Sequence, residues 1–206
     1  GVVHVPIYSN LGAKEYEHIL SHSDAKIVIT SSEEHYDKIS EPAQKSDNIE
    51  KIYSFDQIEG VASWMEIIEL GKSNAEKYKD ELINIRNGIN EDDMMSIIYT
   101  SGTTGLSKGV MLSHRNFISN VKATIHILPV GPEGKFVSFL PLCHVFERML
   151  NYLLQYRGCA VYYAENIETI GDNIREVKPE GFAAVPRVIE KVYDKIMLKG
   201  KELKGI

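Results

Sequence analysis

Short apolar runs rich in β-branched residues alternate along this chain with segments of helical period, and this alternation constrains the fold more than any other feature. Ala25-Lys26-Ile27-Val28-Ile29-Thr30 is such a run. Upstream of it, Tyr16, Ile19 and Leu20 fall at helical spacing; downstream, Ser31 and Glu34 form a capping box for a helix carrying Tyr36 and Ile39. Lys51–Phe55 reads as a strand. Ser63 caps a helix bearing Trp64, Ile67, Ile68 and Leu70, with Gly71 as its stop, and Tyr78, Leu82 and Ile85 mark another that Gly88 ends. The pattern then becomes more regular. Strands are expected at Met94–Tyr99, Gly109–Leu112, Phe136–Leu140, Cys159–Tyr163 and Phe182–Val185. Helices are expected from Ser113 to about Ile127, over His144–Arg157 closed by Gly158, over Glu168–Val177, and from Pro186, which suits a first helical turn. Continuous apolar strands alternating with helices imply an α/β fold: a mostly parallel sheet flanked by helices on both faces.

With 206 residues the chain is expected to form one domain over 1–206, and the Asn- and Asp-rich stretch 83–93 is the linker candidate. Hydrophobic residues make up 43% and charged residues 25%, ordinary globular values that argue against a disordered chain. The net charge of −6 argues against nucleic acid or an anionic membrane as a general partner, so any phosphate recognition has to be local. Cys143 and Cys159 lack metal-ligand spacing and read as small apolar residues in a reducing, cytoplasmic setting. No apolar run is long enough to span a bilayer, which leaves peripheral membrane contact open, and the oligomeric state is open too. Position 1 is Gly, Val2–Tyr8 already reads as a strand, and Lys199–Ile206 continue a helical pattern without a stop; the expectation is an internal piece of a longer chain.

One segment carries chemistry: Tyr99-Thr100-Ser101-Gly102-Thr103-Thr104-Gly105-Leu106-Ser107-Lys108-Gly109. Glycines let backbone amides converge on an anion, hydroxyls add donors or ligate Mg²⁺, and Lys108 adds a mobile positive charge. It is not a Walker A loop. Counting from Gly102, Ser107 stands where the second glycine belongs and Gly109 where Ser or Thr belongs, and the segment leads into a strand rather than a helix. Without a helix dipole it must rely on its own amides, hydroxyls and lysine.

This string resembles the phosphate-loop signature of the adenylate-forming enzymes, which include acyl-CoA synthetases, luciferases and the adenylation domains of peptide synthetases; Ser107 replaces the usual proline before the lysine. Leu140-Pro141-Leu142-Cys143-His144-Val145-Phe146-Glu147-Arg148 and Val185-Pro186-Arg187-Val188-Ile189-Glu190-Lys191 are similar to segments of the long-chain acyl-CoA synthetases within that family. The resemblance implies part of the large N-terminal domain, ATP with Mg²⁺ as cofactors, coenzyme A as co-substrate, and a fatty acid activated first to an acyl-adenylate and then to a thioester. It implies that Thr100, Ser101, Gly102, Thr103, Thr104 and Gly105 cradle phosphates with Lys108, that Thr100 contacts Mg²⁺, and that His144 borders the incoming carboxylate. Arg148 stands where some members carry an aromatic gate, so no gate is expected. Glu147 and Arg148 are read as structural or surface charges, and His4, His18, His22, His35, His114 and His126 as forming no ligand set. The family's acidic Mg²⁺-binding motif, ribose-binding aspartate and C-terminal lysine do not occur in residues 1–206, which implies a stretch inactive by itself. An amino-acid- or aryl-acid-adenylating enzyme and a non-catalytic nucleotide-binding module remain open as alternatives.

Overall fold

The computed structural model describes residues 1–100, 105–128 and 130–202. The chain divides into two compact units, Gly1–Ile118 and Ser119–Ile206. The first carries α1 (Ala13–His22), β1 (Ile27–Thr30), α2 (Glu33–Gln44), β2 (Lys51–Ser54), β3 (Ala62–Ser63), α3 (Met65–Asn74), α4 (Lys79–Gly88), β4 (Met94–Thr100) and β5 (Lys108–Ser113). The division falls within α5 (His114–Thr124). The second unit carries β6 (Lys135–Ser138), α6 (Val145–Arg157), β7 (Ala160–Tyr163), α7 (Ile170–Val177), β8 (Gly181–Phe182) and α8 (Pro186–Glu202).

The architecture is mixed α/β with parallel sheets flanked by helices. β1, β2 and β3 lie side by side in parallel, and so do β7, β6 and β8, while β4 and β5 form an antiparallel pair. In the first unit Tyr16 and Leu20 of α1, Val28 of β1, and Ile39 and Ala43 of α2 form one buried cluster. β1 alternates: Val28 and Thr30 are buried, whereas Ile27 and Ile29 are about half exposed, so one face of this strand is covered by α1 and α2. In the second unit the central strand β6 buries Phe136, Val137 and Ser138 in succession, as a parallel strand covered on both faces does. Phe136 lies directly over Gly181 on β8, where a Cβ would stand 2.7 Å from its ring, so only glycine fits this close approach.

Several local expectations change. The opening segment makes only a single parallel bridge, His4 to Ser96, rather than a strand. The cap of α2 is Ser32, one residue later than expected, because its extended backbone lets its side chain accept from the His35 N–H at 3.4 Å. Gly71 lies inside α3, which continues to Asn74; there the Ser73 hydroxyl and the Asn74 side-chain amide both donate to the Leu70 carbonyl. Ser113 does cap α5: its hydroxyl accepts from the Asn116 N–H while the Asn116 side chain accepts from the Ser113 N–H, a reciprocal cap. α4 runs through residues assigned to the 83–93 linker and ends at Gly88.

Candidate functional site

The Gly/Ser/Thr segment joins β4 to β5 and so connects the two strands of an antiparallel hairpin. Ser101, Gly102, Thr103 and Thr104 lie outside the described residues. Thr100 closes β4, Lys108 opens β5, and the register pairs them directly. This brings the expected Mg²⁺ ligand and the expected phosphate-binding cation together on opposite strands at the loop. Gly105 has φ +120°, a left-handed backbone conformation that side-chain-bearing residues rarely adopt. Lys108 is exposed and makes no ion pair with a described residue, so its ammonium is available to an anion. The next residue, Gly109, serves a different purpose from loop freedom. A Cβ there would stand 2.9 Å from Ile97 and 3.2 Å from the Tyr99 ring, which is its registered partner across the ladder.

Two histidines of α1 meet the ends of this loop. His18 Nε2 is 2.8 Å from the Ser107 carbonyl oxygen, and His22 Nδ1 is 2.7 Å from the Tyr99 hydroxyl. The Tyr99 ring stands nearly perpendicular to both imidazoles, and burial pushes its phenol pKa up. The sequence pattern gave both histidines no ligand set, and their partners lie 89 and 77 residues away along the chain.

In the second unit His144 is exposed and occupies the N-cap of α6 in extended conformation. Its N–H donates to the Pro141 carbonyl at 3.0 Å, closing a turn over Pro141–His144, and its own carbonyl accepts from the Arg148 N–H. The Arg148 guanidinium donates to the Leu142 carbonyl at 2.9 Å, so this arginine ties the turn to the helix. Glu147 is not a surface charge. It is 1% exposed and belongs to a polar cluster on the inward face of α6. The Ser138 hydroxyl donates to its Oε1, the Asn151 amide reaches the same oxygen and the Glu147 carbonyl, and the Tyr163 hydroxyl donates to Asn151 at 2.8 Å. Oε2 has no hydrogen-bond partner among the described residues. Burial raises the Glu147 pKa, and the bonds from Ser138 and Asn151 offset only part of that rise. The residues Glu147, Asn151 and Leu154, spaced i, i+4 and i+7, mark that inward face, and this was the available sequence signal.

The donors among the described residues suit a polyphosphate: the Thr100 hydroxyl, Gly105 and a Lys108 ammonium without an ion pair to a described residue. Among the described residues no group of three or more His, Cys, Asp or Glu is placed to hold a metal. No helix among the described residues is long and apolar enough to cross a membrane.

The chain is 31% identical over 218 residues to long chain acyl-CoA synthetase 4 of Arabidopsis thaliana and 30% identical over 213 residues to long-chain-fatty-acid–CoA ligase 5 of Rattus norvegicus. Each alignment covers 97% of this chain and 31% of the relative, so the chain spans about a third of the length of these curated relatives. The fold is similar to the N-terminal domain of FACL13 from Mycobacterium tuberculosis, with a TM-score of 0.68 at 22% identity, over 91% of this chain and 44% of that one. The model of the AMP-binding enzyme family matches residues 1–205, and the chain belongs to that family.

Proposed function

We propose that residues 1–206 are one piece of the N-terminal domain of an enzyme that activates a long-chain fatty acid with ATP and transfers it to coenzyme A, and that this piece supplies the phosphate-binding loop. The carboxylate oxygen attacks the α-phosphorus, the bond to pyrophosphate breaks, and the thiol of coenzyme A then displaces AMP from the acyl carbon. The observation that carries this reading is the pairing of Lys108 with Thr100 at the loop end of the hairpin, with no described carboxylate taking up the ammonium. As pyrophosphate leaves, charge builds on its oxygens, and a preplaced ammonium stabilises that charge more than it stabilises bound ATP. Thr100, Ser101, Gly102, Thr103, Thr104 and Gly105 are proposed to cradle the β- and γ-phosphates. Mg²⁺, when bound beside Thr100, neutralises phosphate charge. His144, exposed at the start of α6, is proposed to border the fatty carboxylate. Both cysteines are free thiols, which supports a reducing, cytoplasmic setting.

Fatty-acid-dependent ATP–pyrophosphate exchange by the full-length enzyme tests the assignment. Lys108→Ala is expected to lower exchange by about tenfold to a hundredfold, the range of a lost charge-assisted hydrogen bond. An unchanged exchange rate sinks the assignment. Exchange driven by amino acids or aryl acids but not by fatty acids would move the enzyme to another branch of the family. This stretch by itself is expected to form no acyl-CoA.

A further inference from the structure

We propose that His18 and His22 are positioning residues that hold the two ends of the phosphate loop against α1, His18 through the Ser107 carbonyl and His22 through the Tyr99 hydroxyl. The role in ATP binding rests on the phosphate-loop reading; the contacts themselves do not.

The hairpin needs such a support. A two-stranded ladder is marginally stable by itself, and its last pair, Thr100 and Lys108, ends where the loop begins. α1 is a firm base from which to supply one. Tyr16, Ile19 and Leu20 are each at most 4% exposed, and the Tyr16 hydroxyl donates to the Tyr8 carbonyl at 3.2 Å. His18 and His22 are one turn apart and therefore share a side of this helix, with their rings 5.3 Å apart. One reaches the residue just before Thr100 and the other the residue just before Lys108, so both chain directions are held from a single turn.

The direction of the His18 bond is defined. A backbone carbonyl only accepts, so His18 presents Nε2–H to Ser107. Tyr99 keeps its proton because burial disfavours the phenolate. The Tyr99 hydroxyl and His22 Nδ1 share one hydrogen bond, in which the hydroxyl donates when His22 carries its proton on Nε2 and accepts when it carries it on Nδ1. Gly109 completes the arrangement by letting the Tyr99 ring lie against the opposite strand. Displacing either histidine frees one end of the loop and lets Lys108 shift from its place opposite Thr100. A 1 Å error in a phosphate-binding cation is costly in binding.

Three measurements on the full-length enzyme test this. First, side-chain ¹⁵N spectra above about pH 7.5, where an ordinary imidazole is neutral, are expected to show His18 in its Nε2–H tautomer; an Nδ1–H tautomer overturns the proposal without any substitution. Second, His18→Phe is expected to speed amide exchange at Lys108, Gly109 and Val110 by about tenfold, and His18→Gln, which keeps an N–H donor at similar reach, to restore most of it. Unchanged exchange in His18→Phe, or no recovery in His18→Gln, overturns it. Third, ATP affinity is expected to fall and recover in the same order. Faster exchange with unaltered ATP affinity, in a chain whose Lys108→Ala form has lost affinity, overturns the positioning role. If Lys108→Ala and the parent chain bind ATP alike, the phosphate-loop reading fails, and the exchange comparison alone decides whether the histidines hold the hairpin.

Discussion

Burial selects the structural role for Glu147 over the surface one, the two that the sequence left open. A carboxyl that is 1% exposed, with Oε2 unpartnered among the described residues, favours its neutral form, and burial raises its pKa accordingly. The folded chain therefore binds this proton more tightly than the unfolded chain, whose glutamates titrate at about 4.3. Stability contributed by the neutral carboxyl is fully present below that value and is lost as pH rises through the higher folded-state value. Glu147→Gln keeps the shape but cannot ionise. The difference in melting temperature, variant minus parent, is expected to grow from about pH 4.3 upward and then level off. Calorimetry across that range checks it; a difference that shrinks with rising pH contradicts the assignment. At a second position, Gly109→Ala places a methyl group 2.9 Å from Ile97 and 3.2 Å from the Tyr99 ring. Overpacking of this kind typically costs about 1–3 kcal/mol. It is also expected to move Tyr99 away from His22, detectable as a changed His22 ring resonance. The sequence reading valued the loop's glycines for backbone freedom, and Gly105 fits that, but Gly109 is needed for space, which no local pattern reports.

Elements were legible wherever burial repeats along the chain. Tyr16, Ile19 and Leu20 located α1, and Val28 with its neighbours located β1, because each repeat reflects one covered face. Ends were less legible. The capping-box pattern pointed to Ser31, but the cap depends on backbone angles: Ser32 is extended, with φ −148° and ψ 167°, and accepts from the His35 N–H. Ser32→Ala is expected to cost about 1 kcal/mol, and Ser31→Ala less than half as much. Urea denaturation of the two variants separates them, and equal losses would return the cap to Ser31. Gly71 was taken as a stop because glycine often ends helices, yet α3 ends where Ser73 and Asn74 satisfy the Leu70 carbonyl. Least legible of all was the support of the loop, since His22 meets Tyr99 across 77 residues and His18 meets Ser107 across 89. No window along the sequence spans that distance.

At the scale of the whole molecule the governing quantity is charge. A chain of net charge −6 repels ATP at long range, so recognition has to come from groups within a few ångströms of the phosphates. The hairpin offers such a place, with Lys108 free of ion pairs among the described residues, whereas Lys26, Lys38, Lys45, Lys51, Lys72 and Lys79 are ion-paired. Lys72, for example, lies 2.8 Å from Glu69, and both side chains are well exposed. Lys108→Ala and Lys72→Ala change the net charge by the same single unit, so they separate a local cause from a global one. If the loop binds phosphate, Lys108→Ala weakens ATP binding by about tenfold or more, while Lys72→Ala alters it by no more than about twofold, since an exposed ion pair contributes little. Raising the salt concentration is expected to lessen the long-range repulsion in both variants and leave the gap between them largely in place, because contact-range charge pairs are screened less. Equal losses in the two variants would mean that the whole molecule's charge governs binding, and the hairpin would then have no special claim on the nucleotide.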